Sequence, residues 1–347
     1  MEKGPDLFEL TNLEDCDVAV LPFHWEDTLR NAERAEAARA FFQRADELGR
    51  AVLVFYHGDP PARIDYPNAI AFKNSLHRSN RRLSEFCLPA FIADPIGVTV
   101  DELSWRPHRP VPTVSFCGFA PPLGVKLSRP QSMVEQLHES AIRMRDRVGR
   151  NELRGYSPPR YYRADTIRVL EKAPGLETLF ILRSVRSNHD DRDGYKPVDD
   201  SMTVDQYARE YFGNIVSGDY VLSVRGLGNY SVRFYEALAC GRIPLFINTD
   251  NVLPEIGAER WESCVVEVDC SDISRVGSIL RTQHDATDPD EFIRRQQAAR
   301  KLWEESLEMS AYFRMLHRAL SAGLNDGPAR GAAGVERLCR AIRLQSP

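Results

Sequence analysis

The sequence predicts an α/β fold made of two consecutive domains, each built on a parallel, doubly wound sheet. Three observations predict it. Short apolar runs alternate with longer stretches of helical period, the pattern of strands connected by helices. A proline-rich segment interrupts that pattern near residue 108, and the pattern then restarts. The 347 residues, 43% of them hydrophobic, exceed the usual size of one domain and suffice for two cores.

The elements follow in order. Asp17-Val-Ala-Val-Leu-Pro22 reads as a buried strand, and residues 28–49 as an Ala-rich charged helix closed by Gly49, a residue suited to the left-handed C-cap. Residues 51–56 and 69–73 read as two further strands. Trp105-Arg-Pro-His-Arg-Pro-Val-Pro112 carries three prolines in six residues, which opposes helix and favours an extended linker. After it, strands are expected at 113–118, 176–182, 220–224, 243–247 and 265–268. A loop at 119–130 leads to a basic amphipathic helix at 131–148, and another helix covers 203–217. Residues 289–320 read as a long helical region, 321–334 as a mobile Gly- and Ala-containing stretch, and 335–344 as a short terminal helix. The expected division is a first domain at 1–108, a second at 109–320 and a tail at 321–347.

Composition narrows the function. Net charge is −5, with no basic excess for wrapping nucleic acid and no Lys/Arg block for a polybasic anchor. The seven cysteines form no C-x-x-C pair, which argues against a zinc ribbon and for unpaired thiols in a reducing compartment. The opening MEKGPDLFEL lacks an apolar core and no run reaches the ~20 apolar residues of a spanning helix. A soluble, cytoplasmic protein is expected, with peripheral membrane contact left open.

In α/β sheets ligands bind at the carboxyl ends of strands, which draws attention to YVLSVRGLGNYSVRFYEALACGRIPLFINTD at 220–250. Gly226 and Gly228 let the backbone approach a ligand and adopt positive φ. Asn229 or Ser231 can cap the following helix, whose N-terminus seats an anion. Arg225 and Arg233 add charge-assisted bonds to phosphate oxygens. Glu236, three residues after Arg233 on roughly the same helical face, suits the two hydroxyls of a ribose. The plainer alternative is a surface ion network beside an ordinary glycine turn. Arg183, ending a strand, is a further phosphate candidate against a reading as a surface arginine. Asp250, ending another, is a sugar-hydroxyl candidate against a reading as a turn residue.

The run from Tyr207 to Glu255 resembles the exostosin domain of glycosyltransferase family 47. The resemblance rests on Arg225, Gly226, Ser231, Arg233, Glu236, Ala237, Gly241, Ile243, Pro244, Asp250, Leu253 and Pro254, with Phe116-Cys-Gly118 upstream and Trp261 downstream. It covers roughly residues 113–282 and is thin before residue 100. It implies a GT-B architecture, two Rossmann-like domains facing across a cleft. It implies inverting, metal-independent transfer from a UDP- or GDP-sugar to a saccharide or lipid-linked saccharide acceptor, without a further cofactor. The absence of a membrane anchor makes the chain more similar to bacterial members that build surface polysaccharides.

An inverting transfer needs a base for the acceptor hydroxyl, supplied in such a fold by the first domain. His24 and Glu26 follow its first strand, and His57 and Asp59 its second. His57 is the preferred base and Asp59 its catalytic companion, with His24 and Glu26 on the acceptor side; a structural hydrogen-bonding histidine is the competing reading. His189, Asp190 and Asp191 look like a metal cluster, but the run Ser187–Asp193 is polar enough to read as a solvated loop. No metal site is expected. Two other functions fit the same double fold: a nucleotide-sugar epimerase, and a non-catalytic nucleotide-sugar-binding partner of another transferase.

Overall fold

The computed structural model describes residues 7–59, 62–119, 159–183, 202–325, 327 and 330–344. Two sheets form among them, and every strand pairing within each is parallel. The first sheet lays β1 (Ala19–Val20), β2 (Val52–Tyr56), β3 (Ala69–Lys73) and β4 (Glu85–Cys87) side by side in chain order. The second contains β5 (Thr113–Phe119), β6 (Glu177–Arg183), β7 (Tyr220–Ser223), β8 (Ile243–Asn248) and β9 (Val266–Asp269), in the order β6-β5-β7-β8-β9. That is a doubly wound order with its reversal between β5 and β7.

The central strands of both sheets are buried on two faces, as strands inside a parallel sheet require, whereas the edge strand β6 leaves Leu179 and Leu182 exposed. In β2, Val52, Val54 and Tyr56 face one way, onto Phe42 and Ala45 of the first domain's long helix; Leu53 faces the other, the two-residue alternation of a strand. In the second sheet, Val114 and Phe116 pack with Ile167, Leu280 and Phe292, while Cys117 packs with Tyr211, Ile215 and Ala237. Each such apolar side chain taken wholly from water contributes ~1.5–3 kcal/mol. The seven cysteines are all unpaired, five of them buried, and act as small apolar fillers.

Local chemistry moves several expected boundaries. The helix expected at 28–49 is two helices, α1 (Trp25–Arg30) and α2 (Ala32–Glu47). Asn31 divides them because its side-chain oxygen accepts from the amides of Glu33 and Arg34, a helix-starting bond incompatible with continuing the previous turn. Gly49 does close α2, at φ +67°. Further along come α3 (Pro159–Glu171), α4 (Val204–Ser217), α5 (Val232–Ala239), α6 (Ala258–Glu262) and α7 (Val276–Ala286). The long region from 289 is divided into α8 (Pro289–Leu302), a π turn (Trp303–Leu307) and α9 (Met309–Leu324). The stretch expected to be mobile from 321 instead completes α9 and begins α10 (Gly331–Leu344). Tyr312, Leu316, Leu338 and Ile342 of these two helices pack on Leu53, Phe72 and Phe86 of the first sheet. The chain therefore returns to the first domain, and a boundary at residue 320 does not describe its packing. The helix expected at 131–148, nearly all of the loop before it, and the Ser187–Asp193 run with His189, Asp190 and Asp191 lie outside the described residues.

The linker is extended and clamped onto the second domain. Asp219, fully buried, accepts from Arg106 Nε (2.6 Å), Arg109 Nη2 (2.8 Å) and the Thr113 amide (2.8 Å). Burial pushes its carboxyl up, but the bonds from Arg109, Arg106 and Thr113 outweigh burial and leave it below the usual carboxylate range,. Nearby, the His108 and His284 rings stack at 4.0 Å. His284 Nε2 meets the Arg109 carbonyl at 2.7 Å and its Nδ1 meets the Tyr220 hydroxyl at 3.0 Å. The carbonyl can only accept, so Nε2 carries the proton and a neutral ring satisfies both partners.

Burial lowers the pKa of His284, against the opposing Arg109 carbonyl. The folded protein thus binds this proton less readily than the unfolded chain. The stability involved is complete above the unfolded value of ~6.5 and falls as pH drops through the folded value. His57 and His77 are shifted the same way, each by burial first. The melting temperature is expected to fall between pH ~7.5 and ~5, and His284→Gln to flatten that fall. Equal slopes in wild type and variant would remove His284 as a source.

Candidate functional site

β5 and β7 pair only at Val114–Tyr220 and Ser115–Val221, whereas β5 runs on beside β6 to Phe119. Beyond Ser115 the two strands part, opening a crevice at the point where strand order reverses. Arg233 of α5 fills part of it. Its Nη2 donates to the Cys117 carbonyl, and its guanidinium lies 4.3 Å over the Phe116 ring and 5.4 Å from that of Tyr211. A Cβ on Gly118 would come within 2.8 Å of Arg233 Nη2, so a side chain there displaces the guanidinium.

Three more arginines converge. Arg225, buried just beyond β7, donates from Nη2 to the Leu227 carbonyl at 3.0 Å. Arg183 ends β6, pairs with Glu210 and lies 4.7 Å over the Tyr207 ring. Arg163 of α3 donates to the carbonyls of Phe119 (2.9 Å) and Arg225 (3.0 Å). Arg163 was not singled out by sequence; it stands in a polar helix with no motif around it. Burial raises the thiol pKa of Cys117, while Arg183 and Arg233 pull the other way. Stacking on aromatic faces holds cations in place without neutralising them.

Glu236 is 3% exposed and its Oε2 accepts from the Tyr211 hydroxyl. The carboxylate is oriented by α4 in addition to any ligand. Ser231 occupies the N-cap position of α5, yet its side chain makes no capping bond. Gly226 and Gly228, expected at positive φ, are not among the residues that adopt it. Gly226 donates its amide to the Tyr230 carbonyl at 2.9 Å, closing the loop. Gly228 is required by proximity: a Cβ would lie 2.6 Å from the Tyr230 ring and 2.9 Å from Asp59 Oδ1.

Asn229, expected to cap α5, instead joins the domains. Its amide donates to Ser75 Oγ (2.8 Å), and Nδ2 donates to the carbonyls of Leu76 (2.8 Å) and Asp250 (3.1 Å). Its Oδ1 accepts from Thr249 Oγ1 at 2.8 Å. Asp250 adopts φ +68° and its carboxylate accepts from the Ser79 amide (3.1 Å) and lies 3.8 Å from His77 Nδ1. Burial first, then the charge of Arg225, lowers the pKa of His77, with Asp250 opposing. His77 thus connects the joint to the arginine crevice.

The four first-domain candidates stand together at the ends of β1 and β2. The rings of His24 and His57 are 5.7 Å apart. The His57 amide donates to Glu26 Oε1 at 2.8 Å, while Glu26 Oε2 is buried without a hydrogen-bond partner among the described residues. Desolvation lowers the pKa of His57 even though the residue reaches solvent; Glu26 opposes the shift and His24 reinforces it. Tyr230 arrives from the second domain and hydrogen-bonds Asp59; burial, then Asp59, raises its pKa. The group therefore has a polar member from each domain.

Among the described residues no group of three or more His, Cys, Asp or Glu is placed to hold a metal ion. A cavity of about 930 Å³ lies beside β9 rather than at the crevice between β5 and β7. The strand-end crevice is the better candidate for anion chemistry, because the converging cations are there. Compared with known proteins, the chain matches no family model and no curated protein.

The Tyr230–Asp59 bond crosses the cleft, so it is measurable as coupling. A double-mutant cycle of Tyr230→Phe and Asp59→Asn in urea unfolding is expected to give about 1 kcal/mol of interaction. Additive single effects would show that the two side chains do not tie the domains.

Proposed function

We propose that the protein is a glycosyltransferase of GT-B architecture that uses a UDP- or GDP-sugar and passes the sugar to a saccharide acceptor. One observation carries the reading: Arg163 and Arg233 both stack on Phe116 of β5, Arg183 ends the neighbouring β6 and Arg225 follows β7, at the strand ends where doubly wound sheets bind ligands. Breaking the bond between the anomeric carbon and the nucleotide phosphate builds charge on the leaving diphosphate. Preorganised guanidinium groups take up such charge without reorganising. Arg225 and Arg233 hold the diphosphate in this scheme, with the loop Gly226–Ser231 beside it and Glu236 accepting from ribose hydroxyls.

His57 is the base for the acceptor hydroxyl. Its lowered pKa favours the neutral ring at physiological pH, the form that accepts a proton. Asp59 follows two residues later in the same loop, where it hydrogen-bonds Tyr230, and Glu26 Oε2 keeps lone pairs without a partner among the described residues,. His24 completes the acceptor side. Asp250 is already engaged by Ser79, so a role at the donor sugar uses its remaining lone pairs.

UDP or GDP is expected to raise the melting temperature by mass action, with chelator present. Arg225→Ala and Arg233→Ala are each expected to cut turnover by ~10²-fold or more, in kcat as well as donor binding. Arg233→Lys is expected to restore only part, since a point charge does not reproduce a two-pronged contact. The measurement is single-turnover sugar transfer, or donor hydrolysis before an acceptor is identified. Wild-type rates in both alanine variants would sink the phosphate site. Glu236→Gln tests the nucleoside end: unchanged UDP affinity in a folded variant would leave Glu236 as Tyr211's partner alone.

A further inference from the structure

The 930 Å³ cavity lies two strands away from the arginine crevice, along the edge strand β9. Its volume falls within the usual range for small-molecule sites, ~300–1,000 Å³. Arg78 and Arg81 of the first domain form one wall and the loop from Val252 to Ala258 another. Trp261, Glu267, Thr287 and Arg295 complete it.

The lining has the chemistry of sugar recognition. An aromatic face suits the C–H face of a pyranose, and planar polar groups around it suit hydroxyls. Trp261 is fixed on both counts. Its Nε1 donates to the Pro254 carbonyl at 3.2 Å, and its ring packs 5.6 Å from that of Phe234. Arg81 pairs with Glu255, and Glu267 Oε1 accepts from Asn248 Nδ2 at 2.6 Å. Arg295 donates from Nη2 to the Val265 carbonyl at 3.1 Å. A carboxylate accepts about four bonds and a guanidinium donates five, so these groups keep capacity after being locked. Groups ordered beforehand lose little entropy on binding.

Charge decides the class of sugar. Carboxylates outnumber guanidinium groups on the walls five to three, which disfavours a second nucleotide and any sulfated or uronic chain. Val252, Leu253, Pro254 and Ile256 supply apolar surface for the less polar faces of the rings.

We propose that this cavity binds a neutral oligosaccharide, as the part of the acceptor chain remote from the hydroxyl that His57 serves; the assignment as acceptor rests on that reading, while the binding does not. The test uses the full chain and saturation-transfer NMR with neutral gluco-, manno- and galacto-hexaoses, an N-acetylglucosamine hexamer, and a heparin hexasaccharide. At least one uncharged hexamer is expected to bind. Thr287→Trp, which fills the cavity from its rim, is expected to weaken it by about tenfold or more. Glu267→Gln, which removes one wall charge without loss of volume, is expected to weaken it several-fold. The UDP-induced melting shift is expected to stay at its wild-type size in both. No binding of any uncharged hexamer, preference for the heparin fragment, or affinity indifferent to both substitutions overturns the proposal. Loss of the UDP shift in wild type is a separate result, and it strikes the donor reading alone.

Discussion

Asn229 is 1% exposed between two domains, and its polar groups are taken up by Ser75, Leu76, Asp250, Thr249 and Asn251. A buried amide tolerates no loss of such partners, because each unsatisfied group costs about 1–3 kcal/mol. The requirement fixes the loop that leaves β7. With Asn229 docked on residues 75–77, Arg225 is held near His77, and Tyr230 is brought to Asp59. Asp250 must then turn through a left-handed conformation, tolerable for an aspartate, and its carboxylate receives the Ser79 amide. This joint is one of the contacts that set the crevice against the first domain.

The crevice shows how cations are kept close together. Arg163 and Arg233 share the Phe116 ring and spend hydrogen bonds on backbone carbonyls. Carbonyls and ring faces orient a guanidinium without cancelling its charge. Arg183 differs, since Glu210 pairs with it.

Much of this was legible in the sequence, for identifiable reasons. Eight expected strands correspond to observed ones because each is an apolar run of strand length bounded by polar or turn residues. β4 was not read, since Glu85–Cys87 is three residues long and includes a glutamate that pairs with Lys73 inside the sheet. Arg225, Arg233 and Glu236 were legible as neighbours because they share one loop and helix. Of the two caps offered, Asn229 or Ser231, the N-cap position belongs to Ser231; Asn229 is drawn to first-domain partners about 150 residues away, a separation that local spacing does not register. The same limit hid Arg163. The split at Asn31 was readable in principle, since an asparagine before Ala-Glu-Arg is a helix start as well as a helix interior residue.

The path of the chain ties the two domains at more than one place. It crosses from the first sheet to the second through a linker held by Asp219, Gln296 and His284, and it returns through the π turn at 303–307 into α9 and α10. The return is covered: Trp303 and Leu307 are buried with Phe234 and Phe246, and Met315 touches both this core and that of the first domain. A domain joined by one linker moves about one point; a domain joined by two clamped crossings and the Asn229 joint has far less freedom. The π turn is the least regular part of the return, because its i→i+5 bonding inserts an extra residue into a helix path. Trp303 and Leu307, four residues apart, share a face in an ordinary helix as well, so the extra residue leaves that pair in the core while the chain passes from one domain to the other.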